Sequence, residues 1–364
     1  MRSLIEWLPV RAGNFFDAST GGLRMEKLGV GIIGTGWVSG EYIRAFEADP
    51  RTQVRAIVSR EKDRAHAKTE EFKLESARAY EHLEKMLDDP GIQIVVLATP
   101  HPLHVPQGIA AAQAGKHLVI EKPAALNLES LRQLQTAVHA AKVKTVVSFV
   151  LRWNPLFKTI RTLLADGLIG KVFFAELDYL HGIGPWYHQY HWNIKKEMGG
   201  SSLLTAGCHA VDGLRWFIGK KAVEVFAYAN TSPDNPLQYD YEPNSVTLVR
   251  FEDGAIGKVA SSIECVMPYS FRIQLLGDQG TIRNNQIFTR HWPGQNNWAS
   301  IPTVLPDSGD VAHHPFQDEV SDFVDCILED RESHANLDDA AATHKICFAS
   351  EISVREHRPV SLPL

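Results

Sequence analysis

From Leu28 to about Val150 the chain alternates two hydrophobic rhythms. Short apolar runs, LGVGIIG, QVRAIVS, GIQIVVLAT, KHLVI and KTVVSFV, read as buried strands. Between them, VSGEYIRAFEA, KDRAHAKTEEF, His104 to Ala114 and Leu126 to Ala141 carry apolar residues at helical spacing. Short buried strands alternating with helices predict a doubly wound parallel sheet covered on both faces, with ligands bound beyond the carboxyl ends of its strands.

After about Leu151 the rhythm changes. KVFFAELDYL, AVEVFAYAN, SVTLVRFE, AIGKVASSIE, FRIQLLGD and GTIRNNQIFT are strand-like segments separated by short Gly, Asp, Asn and Pro turns. They predict a large, mainly antiparallel open sheet. One helix, Ser201 to Ile218, interrupts this series, and two more close the chain at about Pro315–Glu329 and Leu337–Glu356. The fold class is therefore α/β, with an N-terminal Rossmann-type unit over 25–150 and a second α/β unit over 151–364. The closing helices are candidates to pack back on the first unit. Residues 1–24 read as an extension without the continuous apolar stretch of a signal peptide, and Met25 is a candidate natural start.

The 364 residues suffice for two sizeable cores, and 44% hydrophobic with 22% charged residues is a globular balance. A formal net charge of -6 gives no general basic field for nucleic acid, and no stretch has the length of a membrane span. Four widely spaced cysteines suit reduced thiols in a cytoplasmic setting better than a disulfide framework.

Chemistry enters at Gly34-Thr35-Gly36-Trp37-Val38-Ser39, which follows the first strand and opens the first helix. This is the dinucleotide fingerprint, with Ser at the third glycine position. Gly34 serves the tight turn, and Gly36 admits a pyrophosphate at the helix N-terminus. The second strand ends in Ser59-Arg60 where an acidic residue would bind a ribose 2′-hydroxyl. A small hydroxyl and a guanidinium suit a 2′-phosphate, so NADP is the preferred cofactor, with NAD possible. Glu61, directly after, opposes that preference.

HLVIEKPAAL, residues 117–126, ends the fifth strand at the same carboxyl edge as the glycine turn. ATPHPLH ends the fourth, bringing Thr99, Pro100, His101 and His104 to the cofactor zone. Lys122 then points to where a nicotinamide would lie, placed to hydrogen-bond a reacting oxygen and move its proton, with Glu121 holding and tuning it. In GGSSLLTAGCHAVDGLRWF, residues 199–217, Thr205, His209 and Asp212 share one helical face, and His209 suits general acid/base work.

Together GIIGTG, ATPHPLH, AGKHLVIEKP and GG…TAGCHAVD resemble the glucose–fructose oxidoreductase/inositol dehydrogenase/rhizopine-catabolism (Gfo/Idh/MocA) family, from about residue 28 to the C-terminus. The resemblance implies a Rossmann domain followed by an α/β domain with a large open sheet. It also implies oxidation or reduction of sugars, cyclitols and related polyols, with Lys122 and His209 as the catalytic pair. Thr205 stands where the family commonly has Asp. It is expected to bind a substrate hydroxyl, and His101, where the family often has Asn, to contact nicotinamide or substrate. A dimer or tetramer follows by the same analogy.

Arg152, Trp153, Tyr179 and Trp192 are further expected to border the substrate. Residues 181–200 contain aromatic and histidine side chains suited to sugar faces and hydroxyls, and no metal is expected there. Two other readings remain open: redox-assisted glycoside cleavage with a retained cofactor, and a cofactor-sensing regulatory protein.

Overall fold

The computed structural model describes residues 27–364; the extension and Met25 lie outside the described residues. Six strands, β1 (Leu28–Ile33), β2 (Thr52–Val58), β3 (Arg78–Tyr80), β4 (Ile94–Leu97), β5 (His117–Ile120) and β6 (Thr145–Val147), form one sheet. Its order is β3-β2-β1-β4-β5-β6, and every pairing is parallel. The chain reverses direction across the sheet between β1 and β4, which opens a crevice at their carboxyl ends.

Helices α1 (Trp37–Ala48), α2 (Lys62–Glu71), α3 (Leu83–Leu87), α4 (His104–Gln113) and α5 (Leu128–Ala141) make the connections. Asn127 caps α5 by accepting from the Ser130 amide at 2.8 Å. α6 (Pro155–Ala165), which the hydrophobic pattern did not reveal, carries a cap legible in the sequence: Asn154 accepts from Leu156 N, and Pro155 follows as the first helical residue.

Nine strands form the second sheet: β7 (Val172–Leu180), β8 (Ala222–Asn230), β9 (Asn244–Phe251), β10 (Ile256–Ser262), β11 (Ser270–Gly277), β12 (Gly280–Arg283), β13 (Gln286–Thr289), β14 (Ala299–Ser300) and β15 (Val360–Ser361). Their order is β14-β13-β12-β11-β7-β10-β9-β8-β15. The pairings are antiparallel except β7 with β10. GTIRNNQIFT is a hairpin, not one strand: Asn284 takes a positive φ in its two-residue turn.

Two short helical turns, α7 (Tyr190–Asn193) and α8 (Lys196–Gly199), lead to the interrupting helix. That helix opens with a π-turn at Leu203–Gly207 and continues as α9 (Cys208–Ile218). α9 packs on β7, and α11 (Leu337–Glu356) packs on α9 and β8. α10 (Phe316–Leu328) returns to the first sheet, where Phe316, Val320, Phe323 and Val324 share a core with Tyr42, Phe46 and Ile57. The opposite face of the second sheet is left open. Tyr228, Val246, Leu248 and Ile256 are exposed there, while alternate residues such as Thr247 and Val249 are buried.

Candidate active site

The glycine turn forms because its conformation excludes other residues. Gly34 has φ +113°, and a Cβ there would lie 2.2 Å from the Ala98 carbonyl oxygen. Gly36 is the N-cap of α1, and a Cβ added to it would meet nothing within 4 Å. Its backbone therefore faces open space at a helix N-terminus, the cradle a pyrophosphate requires. Ser39 is buried and donates to the Gly36 carbonyl at 2.6 Å, closing the turn.

One cleft gathers the predicted cofactor residues. Gly34 to Val38, Ser59, Arg60, Thr99 to His101, His104, Glu121 and Lys122 line it, joined by His188 and Trp192 from the segment after β7. His104 sits between the carbonyl oxygens of Thr99 and Pro123, 2.8 Å from each, and so ties the loop after β4 to the loop after β5. His101 is buried with its ring 4.9 Å from Trp192, edge to face. Glu61, the residue that argued against a 2′-phosphate, is ion-paired with Arg64 at 2.9 Å.

Lys122 Nζ donates to the Thr205 carbonyl oxygen at 2.8 Å, which joins the end of β5 to the π-turn before α9. The Glu121 carboxylate does not hold that amine, contrary to expectation. It accepts from the Tyr42 hydroxyl at 2.9 Å and from the Lys122 backbone amide at 3.2 Å. Burial pushes its pKa up, while the nearby Lys122 charge opposes the rise. Beneath it lies a carboxyl that the sequence pattern did not flag. Glu319 of α10 is fully buried, accepts from Ser148 Oγ at 3.1 Å, and has its pKa pushed well up by burial and then by Glu121.

His209 is buried, stacked on Tyr179 with ring centres 5.8 Å apart and edge-on to Phe149. Burial, and then the Lys122 charge, push its pKa well down, so its imidazole is neutral at ordinary pH. A neutral ring can accept a hydrogen bond or a proton. His314, just before α10, lies 6.1 Å from His209, and its buried Nε2 has no hydrogen-bond partner. No local sequence signal marks this residue, because the return of α10 to the first sheet is what brings it here.

Three expectations are corrected. The Thr205 hydroxyl does not face the substrate space: it donates to Asn193 Oδ1 at 2.8 Å and lies 2.9 Å from the Gly199 carbonyl, so the residue reaches the site through its backbone oxygen. Arg152 is a fully buried structural cation, bound to Asp212, Asp339 and the His334 carbonyl. Asp212 is thereby engaged away from His209. Trp153 is buried against His334 and the core under α10, away from the reactive cleft. Among the described residues, no group of three or more His, Cys, Asp or Glu can hold a metal ion, and no helix is long and apolar enough to cross a membrane.

Residues 28–149 match the model of an oxidoreductase family with an NAD-binding Rossmann fold (GFO_IDH_MocA), and residues 157–283 match the GFO/IDH/MocA C-terminal domain. An uncharacterized oxidoreductase of Synechocystis sp. is 31% identical over 195 residues, 53% of this chain and 52% of that one, so the match spans about half of that relative. The scyllo-inositol 2-dehydrogenase (NAD(+)) of Bacillus subtilis is 26% identical over 281 residues, covering 76% of this chain and 80% of that one. A structure of levoglucosan dehydrogenase in complex with NADH superposes with a TM-score of 0.83 at 23% identity, covering 93% of this chain and 99% of the other, a likeness of fold.

Proposed function

The chain belongs to the Gfo/Idh/MocA oxidoreductases, with their NAD-binding Rossmann fold, and from that premise we propose that it moves a hydride between a nicotinamide and a secondary alcohol or carbonyl carbon of a sugar, cyclitol or glycoside. The observation that carries this reading is the placement of Lys122. It lines the cleft of the glycine turn and is tied to the helix that bears His209.

When bound, NAD(P) supplies the hydride acceptor at nicotinamide C4. Gly36 and the α1 N-terminus would hold its pyrophosphate, and Thr99, Pro100 and His101 would border its ring. In the oxidation direction Lys122 donates a hydrogen bond to the substrate oxygen and stabilises negative charge as it develops. Neutral His209 takes the hydroxyl proton as the carbon-bound hydrogen leaves with its electron pair. Tyr179 and Phe149 fix the imidazole in place. Reduction runs the same steps in reverse.

NADP is the preferred cofactor in this reading. Arg60, directly after β2, and Arg64, in the first turn of α2, border the cleft, and Arg64 is the partner of Glu61. The open sheet face, with Tyr228, Val246, Leu248 and Ile256, is where a second copy would pack. The test is a screen of sugars and cyclitols with NAD and with NADP, following nicotinamide absorbance. Reduction of NADP by at least one of them, more efficient than that of NAD, is expected. Cofactor binding without turnover of any substrate would instead favour a sensing role.

A further inference from the structure

The two halves of the chain meet near Lys122 at a pair of buried carboxyls. Glu319 comes from α10, and Glu121 directly follows β5. Ser148, just after β6, is fixed by its amide, which donates to the Ile120 carbonyl at 2.9 Å. Its hydroxyl lies 3.1 Å from Glu319 Oε2 and also engages Glu121 and Tyr42.

The two carboxyls have different surroundings. Glu121 is faced by donors: the Tyr42 hydroxyl at 2.9 Å, the Lys122 backbone amide at 3.2 Å, and the Lys122 charge nearby. That set suits a carboxylate, which only accepts. Glu319 is fully buried, and its Oε1 has no partner. The groups that act on it are Glu121, Ser148 and Asp322, one turn along α10, and none is a cation. Asp322 is itself paired with Arg331 at 2.8 Å and faces His334 at 3.6 Å. Tyr42 of α1 feels both carboxyls and gives its hydrogen to Glu121. A buried carboxylate oxygen without a donor is far costlier than the carbonyl oxygen of a neutral acid. Two like charges in one buried site are costly as well. Once Glu319 is protonated, its contact with Ser148 serves with Glu319 as donor, and the Ser148 hydrogen is free for Glu121.

α10 also reaches the reactive site at its first turn. Phe316 lies edge-on to Tyr42 and to Trp37 of the glycine turn, with ring centres 5.2 and 6.5 Å away. His314, two residues earlier, lies 6.1 Å from His209. Glu319 follows Phe316 by three residues and so shares its helical face. The seat of α10 therefore bears on both the glycine turn and His209.

We propose that Glu319, Ser148 and Glu121 form a latch closed by one proton: Glu319 holds it, Glu121 stays ionised, and α10 is thereby seated with Phe316 on the glycine turn and His314 beside His209. When that proton leaves to solvent at higher pH, two negative charges face each other across Ser148 and α10 loosens. The latch stands without the oxidoreductase reading; its effect on turnover rests on that reading. Burial raises the Glu319 carboxyl above its ordinary range. The stability it contributes is complete below the unfolded value of about 4.3 and is lost as pH rises through the folded value.

Urea unfolding of the full chain between pH 7 and 8.5 isolates this proton. In the unfolded chain histidines, at about 6.5, are then mostly neutral, and thiols, at about 8.5, have mostly not ionised. Glu319→Gln keeps a donor to Ser148 but has no proton to lose. The unfolding constant of the wild type relative to this variant rises roughly tenfold per pH unit, about 30-fold over the range, as one proton requires. A ratio that does not change with pH shows Glu319 ionised in the fold and overturns the latch. Glu319→Leu gives the same comparison if the amide does not fold, and a wild type whose own stability is constant over this range overturns the latch without any variant. With any sugar or cyclitol that is turned over, the alkaline fall of kcat begins at lower pH in the wild type than in Glu319→Gln; coincident profiles overturn the control of the site by the latch. Absence of turnover with either cofactor counts against the oxidoreductase reading alone, because the urea comparison needs no substrate.

Discussion

The amine of Lys122 and the carbonyl oxygen of Thr205 lie 2.8 Å apart, although 83 residues separate them in the chain. This bond spends one of three ammonium hydrogens and aims the others. It also fixes the distance between the carboxyl edge of the first sheet and the helix of His209. Because the donor is a side chain and the acceptor is backbone, the contact constrains the lysine but not the identity of residue 205.

Lys122→Met keeps much of the aliphatic stem and removes the charge. Cofactor affinity, measured by titration calorimetry, should change little, because the glycine turn and the α1 N-terminus remain. Turnover should fall by roughly 100-fold or more, the scale of lost general acid/base help. A variant with near wild-type kcat would show that Lys122 only braces the π-turn.

Arg60→Ala addresses cofactor choice. A guanidinium on a 2′-phosphate makes a charge-assisted hydrogen bond worth about 1.5–3 kcal/mol. NADP binding should weaken accordingly while NAD binding stays nearly constant. Equal losses for both cofactors, or a wild-type preference for NAD, would refute the assignment of Arg60.

The sequence was most legible where the chain folds locally. Period-two and period-3.6 patterns located β1, α1, β2, β4, β5 and the closing helices, and the glycine turn and EKP placed one edge of the cleft. Failures came where partners are distant. Arg152 follows a Rossmann strand and looked free to meet substrate, but Asp212 and Asp339, 60 and 187 residues away, enclose it. Glu319 and His314 sit in or beside a C-terminal helix whose amphipathic pattern says only that it packs, not against what. Ideal helical spacing sets Thr205 on one face with His209, whereas the structure has a π-turn there.

Self-association through the open sheet face is expected to be disrupted by one charge. Leu248 is exposed beside Val246 and Tyr228, and Leu248→Glu should shift the sedimentation of the protein from a dimer or tetramer towards the monomer without lowering its melting temperature much. A wild-type monomer at micromolar concentration would dismiss this interface.

Thr205→Val should now act on stability more than on chemistry. The valine cannot donate, so Asn193 Oδ1 loses its buried donor, at a cost of about 1–3 kcal/mol. The backbone oxygen that receives Lys122 remains. Urea denaturation should show the loss, while kcat falls only a few-fold. A kcat loss as deep as that of His209→Ala, with stability unchanged, would return the hydroxyl to the reaction.

His344 gives the structure a predictable acid limb. Its Nε2 accepts from the Ala124 amide at 2.9 Å, and its Nδ1 donates to the Ala340 carbonyl at 2.8 Å, so the folded state requires the neutral ring. Burial lowers its pKa to about 4, against about 6.5 in an unfolded chain. Between these values the unfolded state binds more protons than the folded state. Stability contributed by this ring is therefore fully present above about pH 6.5 and is lost as pH falls towards 4. The loss is on the order of 3 kcal/mol for the whole interval, at 1.36 kcal/mol per pKa unit. Glu121 and Glu319, whose carboxyls are pushed upward by burial, work in the opposite sense: they favour the fold at low pH and weaken it as pH rises. Urea midpoints for the wild type and for His344→Gln, each measured from pH 7 down to pH 5, separate the two effects. The wild type should lose more stability over that range than the variant loses over the same range, whatever their difference at pH 7. Equal slopes would show that His344 is protonated in the fold, and that the Ala124 amide has found another acceptor.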